Sequence, residues 1–376
     1  MKKDVRNMIK IGIVCFHNIR YIPFLNIYTE ILDNCKNCKY EVIYFNRDKK
    51  LVEKLPENYI SINWIGKYSE KNSKILKIPN FIYFQYAIKK IINKKKYDYI
   101  IVLTTIPGVL LSNYLTKKYE NRYLIDVRDY TWEGIKFYYN KEKKLMEAAS
   151  LRIVSSPDYA KFLPKNEYLL CHNINPKNSS FLLKNNFKKS SNDRIVISYI
   201  GSISYEKQCL RLIELVLADD RFEFHFYGNE STSNICSNKV KELENSRVVF
   251  HGPFLPNEKK EIYNNSDIIF NCYGSEQTLV KYAISNKYYD GALYHKPLIV
   301  SPNTTMEDIS ESFNYSLNLK NLKNLDDLYN WYININPKKF DLFCDRVIKD
   351  AIKDNKIFEK KLKEKLEEIY ENKMEK

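Results

Sequence analysis

Glycine is scarce in this chain, and its scarcity excludes the common glycine-rich nucleotide motifs. Only 9 of the 376 residues are glycine, and neither G-x-G-x-x-G nor G-x-x-x-x-G-K-[ST] occurs in the sequence. The first pattern marks dinucleotide sites and the second marks P-loops, so neither kind of site is indicated. A D-x-D metal motif is also missing from the sequence.

Sequence patterns that would indicate a metal site are also scarce. The chain has 8 cysteines and 5 histidines, and only Cys35 and Cys38 stand in C-x-x-C spacing. Without a second pair or a nearby histidine, this spacing does not complete a zinc site. We therefore expect free thiols in a reducing compartment.

The sequence contains no long uninterrupted apolar run. Its longest apolar stretch, residues 99–115, is broken by Thr104, Thr105, Pro107 and Gly108. This pattern predicts a buried strand, a turn and a helix rather than a membrane span. The first residues lack the features of a signal peptide. We therefore expect a cytoplasmic protein, with peripheral attachment to the inner face of the plasma membrane left open.

Positive charge, in contrast, is abundant. Lysine and arginine total 61 against 46 acidic residues, which gives a net charge of +15. Nucleic acid, anionic membranes and phosphorylated substrates all suit such a charge. No helix-turn-helix, zinc or RNP pattern supports nucleic acid, so we expect no nucleic-acid partner.

Residues 74–96 mix lysines with aromatics on one predicted helix. Two interpretations fit this pattern. The helix docks on an anionic membrane surface, or it packs against the rest of the protein with its basic side in water, and we favour packing.

Strands and helices alternate in both halves of the chain. Apolar runs such as residues 9–16 and 195–200 predict buried parallel strands, with helices between successive strands. The length exceeds what one core usually holds. The pattern therefore predicts an α/β protein with two doubly wound, Rossmann-like domains. The predicted parts are an N-terminal domain over 1–175, a linker over 176–193, a C-terminal domain over 194–335 and C-terminal helices over 336–376.

Polar residues directly follow predicted strands in the second half. Gly201 ends one strand, where a missing side chain lets a ligand approach the backbone. Lys207 begins the next helix, whose first N–H groups attract anions. Asn286, Lys287 and Asp290 cluster at the start of a later helix, and Lys287 and Asp290 share one helical face. A phosphate and sugar hydroxyls suit this set of groups, while an ordinary capped helix is the alternative.

Several short motifs of this half follow one another in the order seen in a known family. They are Gly201…Glu206-Lys207, Phe226-Tyr227-Gly228, Phe250-His251-Gly252-Pro253, Tyr263…Ser266-Asp267-Ile268, Asn286-Lys287-Tyr288-Tyr289-Asp290 and Lys296-Pro297. In this order they resemble the donor domain of GT-B glycosyltransferases. The chain is most similar to the retaining family-4 type that builds bacterial capsular and other surface polysaccharides. The resemblance covers about residues 195–305.

The resemblance implies a nucleotide-sugar site in the second half. Gly201 and Lys207 match a loop that binds the donor diphosphate, and Ser202 stands where the family usually has arginine. Asp290 falls where the family has a glutamate that bonds the ribose. The donor-binding residues implied in this way are Gly201, Ser202, Lys207, Gly228, Phe254, Tyr273, Gly274, Asn286, Lys287 and Asp290.

Polar residues after strands of the first half are expected to meet the acceptor. They are His17, Arg128 and Asp129, and the first half resembles the family only in its alternation and in the motif around Asp129. Asp129 or His17 is suited to orient the attacking hydroxyl or to take its proton. We name Asp129 and Lys207 as catalytic. A satisfied loop histidine and a local ion pair between Arg128 and Asp129 are the alternatives.

The resemblance implies transfer of a sugar from a nucleotide-diphosphate sugar to a glycan or lipid-linked acceptor, in bacterial surface polysaccharide synthesis and with retention. It implies no metal and no cofactor besides the donor substrate. Two alternatives stay open. One is an inactive GT-B homologue that acts as a partner subunit, which Ser202 permits. The other is a nucleotide-sugar epimerase, an enzyme class with the same fold.

Overall fold

The computed structural model describes most of the chain. The described residues are 8–49, 51, 53–66, 74–174, 185–190, 193–230, 234–310 and 313–375. They divide into two compact units, a first unit of residues 1–173 with 353–376 and a second unit of residues 174–352. Most of the predicted linker at 176–193 lies outside the described residues.

The first unit is built on a sheet of seven parallel strands. Its strands are β1 (Ile9–Cys15), β2 (Cys38–Asn46), β3 (Tyr59–Asn63), β4 (Tyr99–Leu103), β5 (Tyr123–Val127), β6 (Leu151–Val154) and β7 (Leu169–Leu170). They lie in the order β3-β2-β1-β4-β5-β6-β7. All residues of β4 and β5 are buried, because helices cover both faces of such a sheet and leave apolar runs without alternation.

The helices of the first unit follow these strands in turn. They are α1 (Leu25–Asp33), α2 (Lys74–Lys95), α3 (Thr105–Lys118) and α4 (Lys136–Glu147), with short 3-10 turns at Ile19–Tyr21 and Pro157–Lys161. Helix α2 contains Pro79 in its second turn. The fixed φ of proline is helical, so its early position removes one hydrogen bond without ending the helix.

The second unit repeats the plan with a sheet of six parallel strands. Its strands are β8 (Ile195–Ile200), β9 (Phe222–Tyr227), β10 (Val248–Gly252), β11 (Ile268–Asn271), β12 (Leu298–Val300) and β13 (Tyr315–Ser316), in the order β10-β9-β8-β11-β12-β13. In both sheets the strand order reverses beside the first strand. Loops at the carboxyl ends of strands part at such a point, which is where ligands bind in open α/β sheets.

The remaining helices belong to the second unit or cross from it into the first. They are α5 (Glu206–Leu217), α6 (Ile235–Leu243), α7 (Lys259–Asn264), α8 (Thr278–Tyr282), α9 (Asn286–Tyr294), α10 (Thr305–Asp308), α11 (Asp326–Ile333) and α12 (Pro337–Met374). The sequence did not lead us to expect α6, α8 or α10. In the part of the chain that the structure describes, no helix is long and apolar enough to cross a membrane.

One cysteine prediction is wrong. Cys35 and Cys38 form a disulfide at the start of β2, whereas we expected free thiols. The turn after α1 brings the two Cα atoms to 5.5 Å, which is within disulfide range. The other cysteines are buried and free.

Candidate functional site

Two glycines bring the loops after β8 and β9 into direct contact. Gly201 has a φ of +116° and Gly228 a φ of +142°, both outside the range that other residues readily adopt. A Cβ on Gly228 would lie 1.8 Å from the carbonyl oxygen of Gly201. The Gly201 N–H also donates to the Tyr227 carbonyl at 2.8 Å. Any side chain at Gly228 would therefore displace the loop that begins at Gly201.

The Lys287 side chain reaches this loop from helix α9. Its ammonium lies 3.9 Å from the position that a Gly201 Cβ would occupy, and it donates a hydrogen bond to the Tyr273 hydroxyl. It also lies 4.8 Å from the centre of the Tyr199 ring and 5.1 Å from that of Tyr273. Desolvation lowers the pKa of Lys287 to about 8. Most Lys287 side chains are therefore still charged at neutral pH, beside the backbone of Gly201.

Helix α5 begins directly after this loop. Tyr205, the residue before it, has a left-handed conformation, and its ring stacks on Tyr273 at 4.5 Å. Lys207 is the second residue of α5, and both Lys207 and Ser202 are exposed. The first turn of α5, with its positive end and an exposed lysine, thus lies next to the loop that Lys287 faces.

The loop after β11 lies at the same carboxyl edge of the second sheet as the loop after β8. The Gly274 N–H donates to the Ser301 hydroxyl at 2.7 Å. A Cβ on Gly274 would lie 2.8 Å from the side-chain nitrogen of Gln208. Tyr273 and Gly274 therefore lie against the start of α5, and their contact with a donor sugar stays a prediction.

A buried amide ends strand β11. The Oδ1 of Asn271 accepts a hydrogen bond from the Ser285 hydroxyl at 2.8 Å. Its Nδ2 has no hydrogen-bond partner among the described residues, although the side chain is buried. Asn286, the first residue of α9 and the residue after Ser285, is exposed. Asn271 thus keeps an unused donor at the carboxyl edge of the sheet.

Asp290 contacts protein groups that the sequence did not lead us to expect. Its Oδ1 accepts a hydrogen bond from Lys259 at 2.7 Å, and its Oδ2 accepts one from the Tyr263 hydroxyl at 3.2 Å. An ionised carboxylate has about four acceptor sites. Two protein donors therefore leave capacity for ligand hydroxyls, and the predicted ribose contact stays a prediction.

A cavity of about 290 Å³ lies beyond the ends of β9 and β10 and beside α7. Its lining includes Tyr227, His251, Pro253, Phe254 and Glu261. The Tyr227 and His251 rings stack at 4.3 Å and are parallel within 1°. The cavity thus combines flat rings, loop backbone and a carboxylate, and it includes the predicted residue Phe254.

In the first unit, Arg128 is held inside the protein. Its Nε and Nη2 donate to Asp126 at 2.9 and 2.7 Å, and its Nη1 donates to the Cys171 carbonyl at 2.7 Å. The Tyr28 hydroxyl adds a bond to Asp126 at 2.6 Å. The local ion pair that we considered thus exists, but with Asp126 rather than Asp129. Arg128 supports the loop after β5, and its contact with an acceptor stays a prediction.

Asp129 and His17 differ in their surroundings. Asp129 is exposed at the surface of the first unit, next to the Arg128–Asp126 pair. Partial desolvation raises the pKa of its carboxyl against the lowering effect of Arg128. His17 is half-buried, and burial together with Arg47 lowers its pKa to about 3. His17 is therefore neutral at physiological pH, and Asp129 is the more accessible of the two candidate bases.

Several residues of these sites were not predicted. Tyr205 and Gln208 belong to the loop and helix start already singled out, so the rule that ligands meet strand ends would have found them. Tyr199, Lys259 and Asn271 come from neighbouring elements, and no spacing in the sequence indicates them. Among the described residues, no group of three or more His, Cys, Asp or Glu is placed to hold a metal ion.

Comparison with known proteins identifies the fold. No protein-family model and no curated protein sequence matches the chain. Solved structures do match it. Sucrose-phosphate synthase from Thermosynechococcus elongatus is 14% identical with a TM-score of 0.62, and the alignment covers 96% of this chain and 95% of that one. Anabaena HepE in complex with UDP is 13% identical with a TM-score of 0.63, over 94% of this chain and 99% of that one.

An epimerase-type protein also matches. A putative UDP-N-acetylglucosamine 2-epimerase from Listeria monocytogenes is 10% identical with a TM-score of 0.57, over 90% of both chains. At these identities the similarities establish the fold alone. Both units have the parallel, Rossmann-like architecture of the GT-B class, so the predicted fold class is confirmed.

Proposed function

We propose that this chain, which has the GT-B fold, is a glycosyltransferase that moves a sugar from a nucleotide-diphosphate sugar to a glycan or lipid-linked acceptor. One observation carries the proposal. The charged, partly desolvated Lys287 faces the backbone of Gly201 at the point where strand order reverses. A fixed cation there suits the negative charge that develops on a leaving diphosphate.

In this proposal the donor diphosphate lies between Lys287 and the start of α5. Lys207 adds a second positive charge at the helix end, where backbone N–H groups favour anions. Ser202 replaces the usual arginine of the family, and Lys287 supplies the missing charge. Removing one such preorganised group typically lowers the rate about a hundred- to thousand-fold.

The nucleoside occupies the cavity beside α7 in the same proposal. The base lies against the loop of Pro253 and Phe254, and Asp290 accepts hydrogen bonds from the ribose hydroxyls. UDP is the nucleotide to test first, because HepE, a structure with the same fold, was solved in complex with UDP. Asp129 orients or deprotonates the acceptor hydroxyl. Retention and a role in bacterial surface polysaccharide synthesis rest on the motif resemblance.

Thermal stabilisation by nucleotides tests the donor site. A ligand that binds only the native state raises its stability according to the ratio of concentration to Kd. We expect one nucleoside diphosphate, and its sugar derivatives, to raise the Tm of the wild type. The shift should shrink in Lys207→Ala and Lys287→Met but persist in Lys260→Ala, an exposed lysine of α7. No shift with any nucleotide would contradict the donor site and favour the inactive homologue.

A product assay separates transfer from epimerisation. If the proposal is right, free nucleoside diphosphate appears only when a glycan acceptor is present. The structural similarity to a putative epimerase indicates which product to look for if transfer does not occur. Conversion of one nucleotide sugar into its epimer without an acceptor would replace the transferase proposal by the epimerase alternative.

A further inference from the structure

Helix α2 exposes a row of large apolar side chains. Ile78, Ile82 and Tyr86 follow one another at four-residue spacing and are 49%, 60% and 66% exposed. This spacing places them on one helical face. The opposite face already packs into the unit through Phe84, Ile88 and Ile92, which are fully buried. The packing interpretation that we favoured thus explains only one face of the helix, and a clustered apolar row on the other face indicates an interaction surface.

The same row continues into positive charge. Lys90 and Lys94 extend the four-residue spacing, and both are exposed. The sequence of α2 contains no acidic residue. Helix α12 differs, because its lysines form ion pairs with glutamates three or four positions away, such as Lys363 with Glu359. The charge of the α2 row is therefore not balanced within its own helix.

The apolar end of the row lies beside the loop that carries Asp129. Asn80 binds both the N–H and the carbonyl of Ile65, at 2.7 and 3.1 Å, and so fixes another exposed isoleucine next to the helix. The Phe81 ring lies 6.5 Å from that of Trp132, which belongs to the loop after β5. A surface bound to this row would therefore lie close to the loop of Asp129.

We infer that this face of α2 docks on an anionic lipid bilayer. Ile78, Ile82 and Tyr86 enter the boundary between headgroups and acyl chains, while Lys90 and Lys94 contact lipid phosphates. Charge complementarity favours an anionic bilayer as the partner. A second copy of the chain is less suitable, because self-association would bring two lysine-bearing rows together. Nucleic acid would leave the apolar half of the row without a partner. The inference goes beyond the proposed function and does not depend on it.

Co-sedimentation with vesicles tests the inference. The full chain is mixed with vesicles of phosphatidylcholine alone, or of phosphatidylcholine with phosphatidylglycerol, at about 50 mM and about 500 mM NaCl. We expect binding only to the anionic vesicles, weakened at the higher salt. Ile82→Glu and the double variant Lys90→Glu/Lys94→Glu should each lower the partition coefficient at least about tenfold.

Matched controls separate this surface from a general effect of charge or polarity. Leu342→Glu replaces an apolar residue of α12 that is 70% exposed, against 60% for Ile82, and Lys338→Glu/Lys339→Glu makes the same change in net charge as the double lysine variant of α2. Both controls should bind like the wild type. Absence of wild-type binding, or equal losses in variants and controls, would overturn the inference. A different result would assign this face to self-association instead. In that case the wild type does not bind vesicles, and light scattering shows a wild-type dimer that Ile82→Glu abolishes.

Discussion

Lys287 combines a position in the candidate site with an unfavourable environment. Its ammonium contacts the rings of Tyr199 and Tyr273, and desolvation lowers its pKa to about 8. Ring faces attract the cation, but they replace only part of the water that it loses. The free protein therefore holds a charge that a bound diphosphate would stabilise further.

Replacing this lysine should separate binding from stability. Below pH 8 the folded state carries the desolvated charge while the unfolded state carries a solvated one, so folding is penalised. Lys287→Met removes the penalty and should raise the Tm by about 2–4 °C at pH 7, while nucleotide affinity falls. Differential scanning calorimetry and nucleotide titration measure the two effects. A lower Tm with unchanged affinity would contradict this account, and Lys260→Met should change neither quantity.

Nucleotide affinity should also depend on pH through Lys287. If Lys287 contacts the donor diphosphate as proposed, only its protonated form contributes, so affinity should be constant at neutral pH and fall as the pH rises through about 8, by up to about tenfold per pH unit. Isothermal titration at successive pH values tests this expectation. Lys287→Arg keeps its charge at every pH used and should remove the dependence. The same slope in the arginine variant would show that another group is responsible.

At the scale of single helices, α4 contains an acid that has no basic partner within hydrogen-bond distance among the described residues. Glu142 is fully buried, and neither of its carboxyl oxygens has a hydrogen-bond partner among the described residues. Desolvation, with the charge of Glu133 adding to it, raises its pKa to about 9. The side chain is therefore neutral at pH 7, and α4 packs into the unit with a protonated carboxyl.

Glutamine at this position should stabilise the protein more at alkaline pH. Between the unfolded pKa of about 4.3 and the folded pKa the native state holds a proton that the unfolded state releases, so stability falls as pH rises. Glu142→Gln mimics the neutral acid and removes this fall. Thermal melts should show a larger gain in Tm at pH 8 than at pH 5. Glu147→Gln, an exposed change on the same helix, should have little effect, and an equal response from both variants would refute the explanation.

At the scale of the whole molecule, helix α12 links the two units through its sequence. It begins among residues of the second unit, and residues 353–376 belong to the first. Phe358, Leu362 and Leu366 lie in the hydrophobic core of the first unit. Ile357, which precedes Phe358 on the same helix, is 45% exposed. The end of the chain is thus part of the core formed by its beginning.

Truncating the buried stripe should destabilise the first unit. Leu362→Ala leaves a cavity in a packed core and should lower its free energy of unfolding by about 2–5 kcal/mol. Ile357→Ala on the same helix should cost less than about 1 kcal/mol, because that residue is already partly in water. Urea titration followed by circular dichroism measures both effects. Similar costs for the two variants would show that the helix does not pack as described.

The sequence by itself determined the class of fold and the region of the candidate site. Apolar runs separated by helical segments require buried parallel strands, and parallel strands place their following loops at one edge of the sheet. That rule selected Gly201 and the loop that leads to Lys207, the start of a later helix selected Lys287, and the motif resemblance added Tyr273. Such patterns work because they depend on local periodicity, which the backbone geometry of strands and helices fixes.

Tertiary structure alone decided which groups meet and which remain exposed. Asp290 binds Lys259 because helices α7 and α9 bring those side chains within hydrogen-bond distance. Arg128 pairs with Asp126, two residues earlier, while the Cys171 carbonyl holds the other side of its guanidinium. Ile82 and Ile88 have the same hydropathy, yet one is exposed on α2 and the other is fully buried. Periodicity gives the faces of a helix but not which face meets the sheet, since that choice depends on packing against residues far along the chain.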